Sequence, residues 1–312
     1  MIKKVTVIGT GVIGTGWIIR CLAHNKKVIA YDKDTRLEKK LILEIKRAWP
    51  FIKKLFNKKK LNLKNFKYVT SIEKALKEAD FIQECASENY KIKTNLMNII
   101  GKYSKPSAII SSSSSGLLPT RIYSKCRNPE RAIIGHPFNP VYLCPGVEIV
   151  AGKKTKKKFL NKANKFYKSI SMNPIMVKKE LPGYLADRLQ EALWREALHI
   201  INEGYATTKD LDRAIEDGPG LRWSLMGTFL TFHLAGGKAG MKHMLKQFGP
   251  TLKLPWTKLK APKLSKKLSS RVIEGTRQQT KGKSVAMISN IRDDYLVNLQ
   301  KLRKKYEDKI RK

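Results

Sequence analysis

The sequence predicts an α/β Rossmann-type dinucleotide-binding domain followed by an all-α C-terminal domain. The first observation is a glycine-rich turn that joins an apolar run to a helical pattern near residue 9. The second is that short apolar runs alternate with helical patterns as far as residue 181, whereas only helical patterns follow. We therefore expect residues 1–181 to form a parallel sheet covered by helices, and residues 182–312 to form a helical domain.

The glycine turn, residues 9–14 (GTGVIG), predicts a nucleotide site. Gly9 permits a tight turn, Gly11 lets a pyrophosphate approach the backbone, and Gly14 lets helix and strand pack closely. Asp32 ends the next strand pattern, where a carboxylate accepts hydrogen bonds from a ribose and repels a 2′-phosphate. This favours NAD over NADP. The cofactor candidates are Gly9, Gly11, Val12, Ile13, Gly14 and Asp32.

Composition narrows the function classes. The 64 Lys and Arg residues outnumber the 25 Asp and Glu residues, giving a net charge of +39, but the lysines are dispersed through every segment. No nucleic-acid-binding motif accompanies them, so we interpret the charge as a solvated surface without a specific nucleic-acid partner.

Cysteine spacing and hydropathy indicate the compartment. The four cysteines show no CxxC or mixed Cys/His ligand spacing, so we expect reduced thiols and no metal site. No apolar stretch approaches membrane-spanning length, and the start runs directly into the first strand pattern, so we expect no membrane association and a cytoplasmic location.

Two further segments follow buried strand patterns, so they should lie at the ligand edge of the sheet. Five serines occupy residues 111–115, and His136 follows the apolar run 131–135. Because prolines stiffen the turn after His136, Glu148 on the returning strand can meet its imidazole. A carboxylate that fixes the tautomer of an imidazole suits general acid and base catalysis, although a single histidine is also common in structural roles.

The order and spacing of these motifs resemble the 3-hydroxyacyl-CoA dehydrogenase superfamily. The motifs are the glycine turn with Asp32, residues 84–89, the serine run, His136 to Pro140 with Glu148, and residues 182–188. Within residues 84–89, the resemblance implies that Glu88 binds the cofactor. Residues 218–223 (GPGLRW), 227–231 (GTFLT), 233–237 (HLAGG) and 254–256 (LPW) resemble one branch in particular, the L-carnitine 3-dehydrogenases.

The resemblance implies NAD-dependent oxidation of a 3-hydroxyl group. His136 falls on the general base, Glu148 on its partner, and Ser115, with Ser114 as the alternative, on the serine that holds the substrate oxygen. Asp187 falls where the acyl-CoA enzymes usually have asparagine. Because a carboxylate only accepts hydrogen bonds whereas an amide also donates them, the role of Asp187 stays open.

The branch implies L-carnitine as the substrate. Its trimethylammonium group cannot donate an N–H hydrogen bond and is best held by aromatic faces, for which Tyr142, Trp223 and Trp194 are candidates. Arg222 is the candidate for the substrate carboxylate. Trp194 equally fits a helical core, and Arg222 an ordinary exposed arginine.

Three alternatives remain. A 3-hydroxyacyl-CoA dehydrogenase would fit the basic surface, because coenzyme A carries phosphates. Residues 221–224, however, depart from the stretch found in the acyl-CoA enzymes. An L-gulonate 3-dehydrogenase would need more polar hydroxyl-binding groups. A crystallin-like structural use of the fold or nucleic-acid binding is disfavoured, because Ser115, His136 and Glu148 are all intact. The apolar helical domain also predicts a homodimer.

Overall fold

The computed structural model describes residues 2–57, 60–225, 227–258, 260, 263, 265–281 and 283–311. The chain divides into two compact units, Met1–Arg188 and Leu189–Lys312. The first unit contains a sheet flanked by helices, and the second is helical in its described part. The predicted fold class, a Rossmann-type domain followed by an all-α domain, is confirmed.

The strands of the first unit form one mixed sheet. They are β1 Lys4–Ile8, β2 Lys27–Tyr31, β3 Phe66–Val69, β4 Phe81–Glu84, β5 Ile109–Ser112, β6 Ala132–Pro137, β7 Gly146–Ala151 and β8 Asn173–Val177. Their order is β3-β2-β1-β4-β5-β6-β7-β8, and every neighbouring pair is parallel except β6 and β7. The parallel pairing expected from alternating strands and helices is found at the other pairs, and β7 returns along β6 as expected for the strand that carries Glu148. Because only residues 138–145 connect the two strands, no crossover fits and the chain turns back as a hairpin.

Helices cover the sheet. In the first unit they are α1 Val12–Ala23, α2 Leu37–Phe56, α3 Ile72–Leu76, α4 Tyr90–Tyr103, α5 Pro119–Ile122 and α6 Lys157–Ser169. Helix α2 ends at Phe56, because Asn57 adopts the left-handed conformation that ends a helix. The serine run is not all loop, since Ser111 and Ser112 are the last residues of β5.

The parallel strands β1, β4, β5 and β6 are neighbours, so their carboxyl ends share one edge of the sheet. The glycine turn, residues 85–89, the end of the serine run and His136 therefore lie at this edge, where open α/β sheets bind their ligands.

A buried arginine holds the turn of the β6-β7 hairpin. Arg20 on α1 donates hydrogen bonds to the carbonyl oxygens of Val141 at 2.7 Å and Cys144 at 3.1 Å, and to that of Ser171 at 3.0 Å. Burial lowers the pKa of Arg20 to about 10, still well above neutral pH. The backbone that carries His136 into the turn is thus tied to the helix that follows the glycine turn.

The described part of the second unit consists of helices. They are α7, which begins in the first unit and runs Ala186–Glu203, α8 Thr208–Glu216, α9 Pro219–Trp223, α10 Thr228–Ala235, α11 Gly240–Phe248, α12 Lys266–Thr280 and α13 Val285–Arg311. Residues 219–223 form the short helix α9, because proline at the first position favours helix initiation. None of the described helices is long and apolar enough to cross a membrane.

Candidate active site

His136 and Glu148 form a buried pair across the β6-β7 hairpin. They are directly opposite each other in the antiparallel register, and His136 Nδ1 lies 2.8 Å from Glu148 Oε2. Both side chains are almost inaccessible to solvent. Opposite residues in an antiparallel pair place their side chains on the same face, so this contact follows from the register itself.

The second oxygen of Glu148 is also occupied. Oε1 accepts hydrogen bonds from the backbone N–H groups of Leu185 at 2.9 Å and Ala186 at 3.1 Å, where helix α7 begins. Burial raises the pKa of Glu148, but the hydrogen bonds from His136 and these two amides outweigh it, so the pKa lies below the ordinary value. Glu148 is therefore an ionised acceptor for His136 at neutral pH.

Asp187 is a second carboxylate beside the imidazole. It lies in the first turn of α7, and its Oδ2 is 3.6 Å from His136 Nε2, on the opposite side of the ring from Glu148. This separation is longer than a hydrogen bond. His136 thus lies between two carboxylates, with Nδ1 bonded to Glu148.

Glu88 organises the serine loop. Its Oε1 accepts hydrogen bonds from the Ser114 hydroxyl at 2.6 Å and from the backbone N–H groups of Ser115 at 3.0 Å and Gly116 at 3.2 Å. Ser114 is buried, whereas the Ser115 side chain is exposed. The loop therefore uses Ser114 for its own structure and presents Ser115 outward.

A buried lysine that the sequence analysis missed supports this loop. Lys93 on α4 bonds both oxygens of Glu84, at 2.9 and 3.1 Å, and its Nζ lies 3.5 Å from Glu88. Glu84 in turn accepts a hydrogen bond from the Ser112 hydroxyl. The signal was a lysine on the apolar face of a helix, in helical register with the buried Met97.

The glycine turn has the shape that a dinucleotide needs. Gly9 has a φ of +91°, and a Cβ there would lie 2.8 Å from the carbonyl oxygen of Cys85. A Cβ on Gly14 would lie 1.9 Å from the carbonyl oxygen of Gly9, so helix and turn approach closely. A Cβ on Gly11 would meet nothing within 4 Å, so space is open where a pyrophosphate would approach.

The surroundings of the turn fit the same ligand. Helix α1 begins at Val12, so the N–H groups of Val12 and Ile13 lie at the positive end of its dipole. Asp32 accepts hydrogen bonds from the Thr10 backbone N–H at 3.0 Å and hydroxyl at 2.9 Å, which fix its carboxylate beside the turn. The residues present therefore fit NAD.

The four substrate candidates are divided between the two units. Tyr142 is buried in the first unit, and its hydroxyl accepts a hydrogen bond from Arg47 at 3.1 Å. Its ring is not an open face, because residues 140–144 form a tight turn that Arg20 binds through the Val141 carbonyl oxygen. Trp194, Arg222 and Trp223 belong to the second unit and have exposed side chains.

A dinucleotide-binding sheet with a buried histidine and glutamate pair at its ligand edge is typical of NAD-dependent dehydrogenases. Residues 4–181 match the NAD binding domain of 3-hydroxyacyl-CoA dehydrogenase, and residues 183–275 match its C-terminal domain. The chain belongs to the 3-hydroxyacyl-CoA dehydrogenase family, and its cofactor is NAD. The enzyme class, the cofactor and the family resemblance predicted from the sequence are confirmed.

The chain is similar over nearly its whole length to proteins named L-carnitine dehydrogenase. That of Oceanobacillus iheyensis is 49% identical over 297 residues, which cover 95% of this chain and 97% of the relative. That of Pseudomonas putida is 49% identical, covering 95% and 92%, and that of Staphylococcus epidermidis 43%, covering 97% and 94%. The predicted resemblance to this branch is confirmed.

Solved structures share the fold. A 5-formyl-3-hydroxy-2-methylpyridine 4-carboxylic acid 5-dehydrogenase has a TM-score of 0.81 at 22% identity, covering 97% of this chain and 99% of that one. The (S)-3-hydroxybutyryl-CoA dehydrogenase of Ralstonia eutropha has a TM-score of 0.64 at 23% identity, covering 80% and 89%. The arrangement of a Rossmann-type domain and a helical domain is thus common to these proteins.

Proposed function

We propose that this chain oxidises the 3-hydroxyl group of L-carnitine to the ketone of 3-dehydrocarnitine, with NAD as the oxidant. The observation that carries the proposal is the buried pair of His136 and Glu148 in a chain 49% identical to an L-carnitine dehydrogenase. The pair supplies a base that can accept the proton of a hydroxyl group, and the names of the relatives support L-carnitine as the molecule that carries this hydroxyl.

The proton moves to His136. Glu148, an ionised acceptor, keeps the proton of the neutral imidazole on Nδ1 through the 2.8 Å hydrogen bond. Nε2 then carries the lone pair that accepts the proton of the 3-hydroxyl. As His136 becomes positively charged, Glu148 stabilises it without reorganising, because two backbone N–H groups already fix the carboxylate.

Other residues hold the reactants in place. The turn of Gly9, Gly11 and Gly14, with Asp32, would hold NAD, which supplies the acceptor for the hydride on the same carbon. The exposed hydroxyl of Ser115 would donate to the substrate oxygen as it becomes a carbonyl. Glu88 contributes indirectly, because it fixes the loop on which Ser115 lies.

The substrate candidates in the second unit remain part of the proposal. Trp223 and Trp194 would face the trimethylammonium group, and Arg222 would bind the carboxylate with its planar fork. Their exposed side chains are available to a ligand.

The proposed assembly is a homodimer formed through the second unit. Only four large apolar side chains are buried among those described there: Leu198, Ile201, Leu268 and Val297. Large apolar side chains are exposed instead, among them Phe229, Leu252, Trp256, Ile273 and Met287. Exposing such a surface to water is unfavourable, and a second copy would cover it.

The proposed location is the cytoplasm, which supplies NAD and keeps the four free thiols reduced.

A substrate comparison with purified protein tests the proposal. NADH formation is followed with L-carnitine, L-gulonate and 3-hydroxybutyryl-CoA under identical conditions, with His136→Gln as the control for contaminating activity. We expect the highest kcat/KM with L-carnitine, and loss of that activity in the variant. A higher kcat/KM with either competitor would contradict the substrate and leave the dehydrogenase class intact.

A further inference from the structure

We propose that Asp187 recognises the trimethylammonium group of the substrate and so determines which 3-hydroxy acid the site accepts. The inference rests on the proposed oxidation of L-carnitine and adds a specificity-determining residue to it. It starts from one juxtaposition, the 3.6 Å between Asp187 Oδ2 and His136 Nε2.

The position of Asp187 is fixed by the same elements that build the base. Helix α7 begins at Ala186, whose N–H donates to Glu148, and Asp187 follows as the next residue. The carboxylate is therefore held on the Nε2 side of His136, the side at which the substrate hydroxyl must arrive. Its side chain is partly exposed, so it is accessible to a ligand at that nitrogen.

The chemistry of the substrate places a positive charge at the same point. In L-carnitine the quaternary nitrogen is two bonds from the reacting carbon, which corresponds to about 2.5 Å with standard bond lengths. A hydroxyl bonded to His136 Nε2 therefore brings the ammonium group close to a carboxylate only 3.6 Å from that nitrogen. Because the methylated ammonium donates no hydrogen bond, charge attraction without a hydrogen bond suits it.

Charge also fixes the orientation of the substrate. L-carnitine has a carboxylate on one arm of the reacting carbon and a cation on the other. Asp187 attracts the cationic arm and repels the carboxylate arm, so one arrangement of the two arms is favoured. If the hydroxyl is held at His136 and the transferred hydrogen faces NAD, exchanging the arms would require the opposite enantiomer, so Asp187 also favours one configuration.

An alternative role for Asp187 is stabilisation of the protonated imidazole. Glu148 already meets that need through a 2.8 Å hydrogen bond, whereas Asp187 lies beyond hydrogen-bond distance. The two roles differ in one measurable respect. Stabilising His136 would help every substrate equally, whereas attracting a cation would help only a cationic one.

The experiment compares Asp187→Asn with the wild type on two substrates. One is L-carnitine, and the other is its neutral analogue in which a tert-butyl group replaces trimethylammonium. We expect the variant to raise KM for L-carnitine at least about tenfold, to leave KM for the analogue unchanged or lower, and to discriminate less against D-carnitine. Titration of the enzyme with L-carnitine in the presence of NADH should show the same loss of affinity as an increase in Kd.

Two further variants provide controls. Asp187→Glu keeps the negative charge, so it should retain most of the preference for L-carnitine over the neutral analogue. This variant keeps the inference testable even if Asp187→Asn folds poorly. Glu78→Gln removes one negative charge at the amino end of β4, the opposite edge of the sheet, and should leave KM unchanged.

Other outcomes overturn the inference. Equal losses on both substrates would show that Asp187 acts through His136, and unchanged KM on both would show that it has no part in recognition. Failure of the proposed function is distinguishable, because the wild type itself would then not oxidise L-carnitine.

Discussion

The Ser114 hydroxyl donates a 2.6 Å hydrogen bond to Glu88, and this contact separates the roles of two adjacent serines. Ser114 is buried and holds the loop, whereas Ser115 is exposed beside it. The motif resemblance left both open as the substrate-binding serine. The hydrogen bonds of the loop favour Ser115.

The two serines should therefore respond differently to substitution by alanine. Ser115→Ala should lower kcat about 10- to 100-fold with an unchanged melting temperature, because it removes a donor to the developing carbonyl. Ser114→Ala should lower the free energy of unfolding by about 0.5–1.5 kcal/mol, since it removes one hydrogen bond to the Glu88 carboxylate. Kinetics and thermal unfolding of both variants check this. The reverse pattern would identify Ser114 as the substrate-binding residue.

Removal of the proposed base should strongly reduce turnover without weakening nucleotide binding. His136→Gln should lower kcat about 10²- to 10⁴-fold, the range of general acid and base catalysis, with Kd for NADH little changed. Glu148→Gln should cause a similar or smaller loss, because it removes the acceptor that fixes the tautomer. Steady-state rates and NADH fluorescence titrations measure these effects. Near-normal turnover of His136→Gln would make the histidine structural.

Glu148 should also make stability depend on pH. Its pKa in the folded state lies below the ordinary 4.5, because hydrogen bonds from His136 and two backbone amides outweigh the effect of burial. Its contribution to stability is therefore fully present above about pH 4.5 and is lost as pH falls from there through the folded pKa. The melting temperature of the wild type should fall across this window more steeply than that of Glu148→Gln. Parallel curves would show that Glu148 is not the group responsible.

The accuracy of the sequence analysis depended on whether the signal was local. The glycine turn was predicted in detail, because φ and close approach are properties of a few adjacent residues. The pairing of His136 with Glu148 was predicted because a short connection between two strands leaves few registers.

The environment of a side chain could not be predicted where it depends on contacts with residues far away in the sequence. The burial of Tyr142 could not be predicted, because Arg47 from α2 binds its hydroxyl and no local pattern indicates a contact across 95 residues. Lys93 was missed because its burial depends on an ion pair with the buried Glu84, which lies on a different element. A charged residue on an apolar helix face was the available signal, and it indicates a buried ion pair.

The last prediction concerns the cofactor, for which Asp32 should select NAD over NADP. A carboxylate at this position accepts ribose hydroxyls and repels a 2′-phosphate. Lys33 and Arg36 are the nearby cations that would favour NADP, but Asp34 binds the Arg36 guanidinium at 2.9 and 2.8 Å. The hydrogen bond from Arg36 lowers the pKa of Asp34 to about 2, so the pair persists at neutral pH. Asp32→Ala should lower the ratio of kcat/KM for NAD to that for NADP about tenfold. Adding Asp34→Asn should lower this ratio further, because it frees the Arg36 guanidinium to bind a 2′-phosphate. The ratio of kcat/KM for NAD and NADP measures both steps, with Glu78→Gln as the control for lost negative charge. Equal efficiency with NADP in the wild type would contradict the role of Asp32.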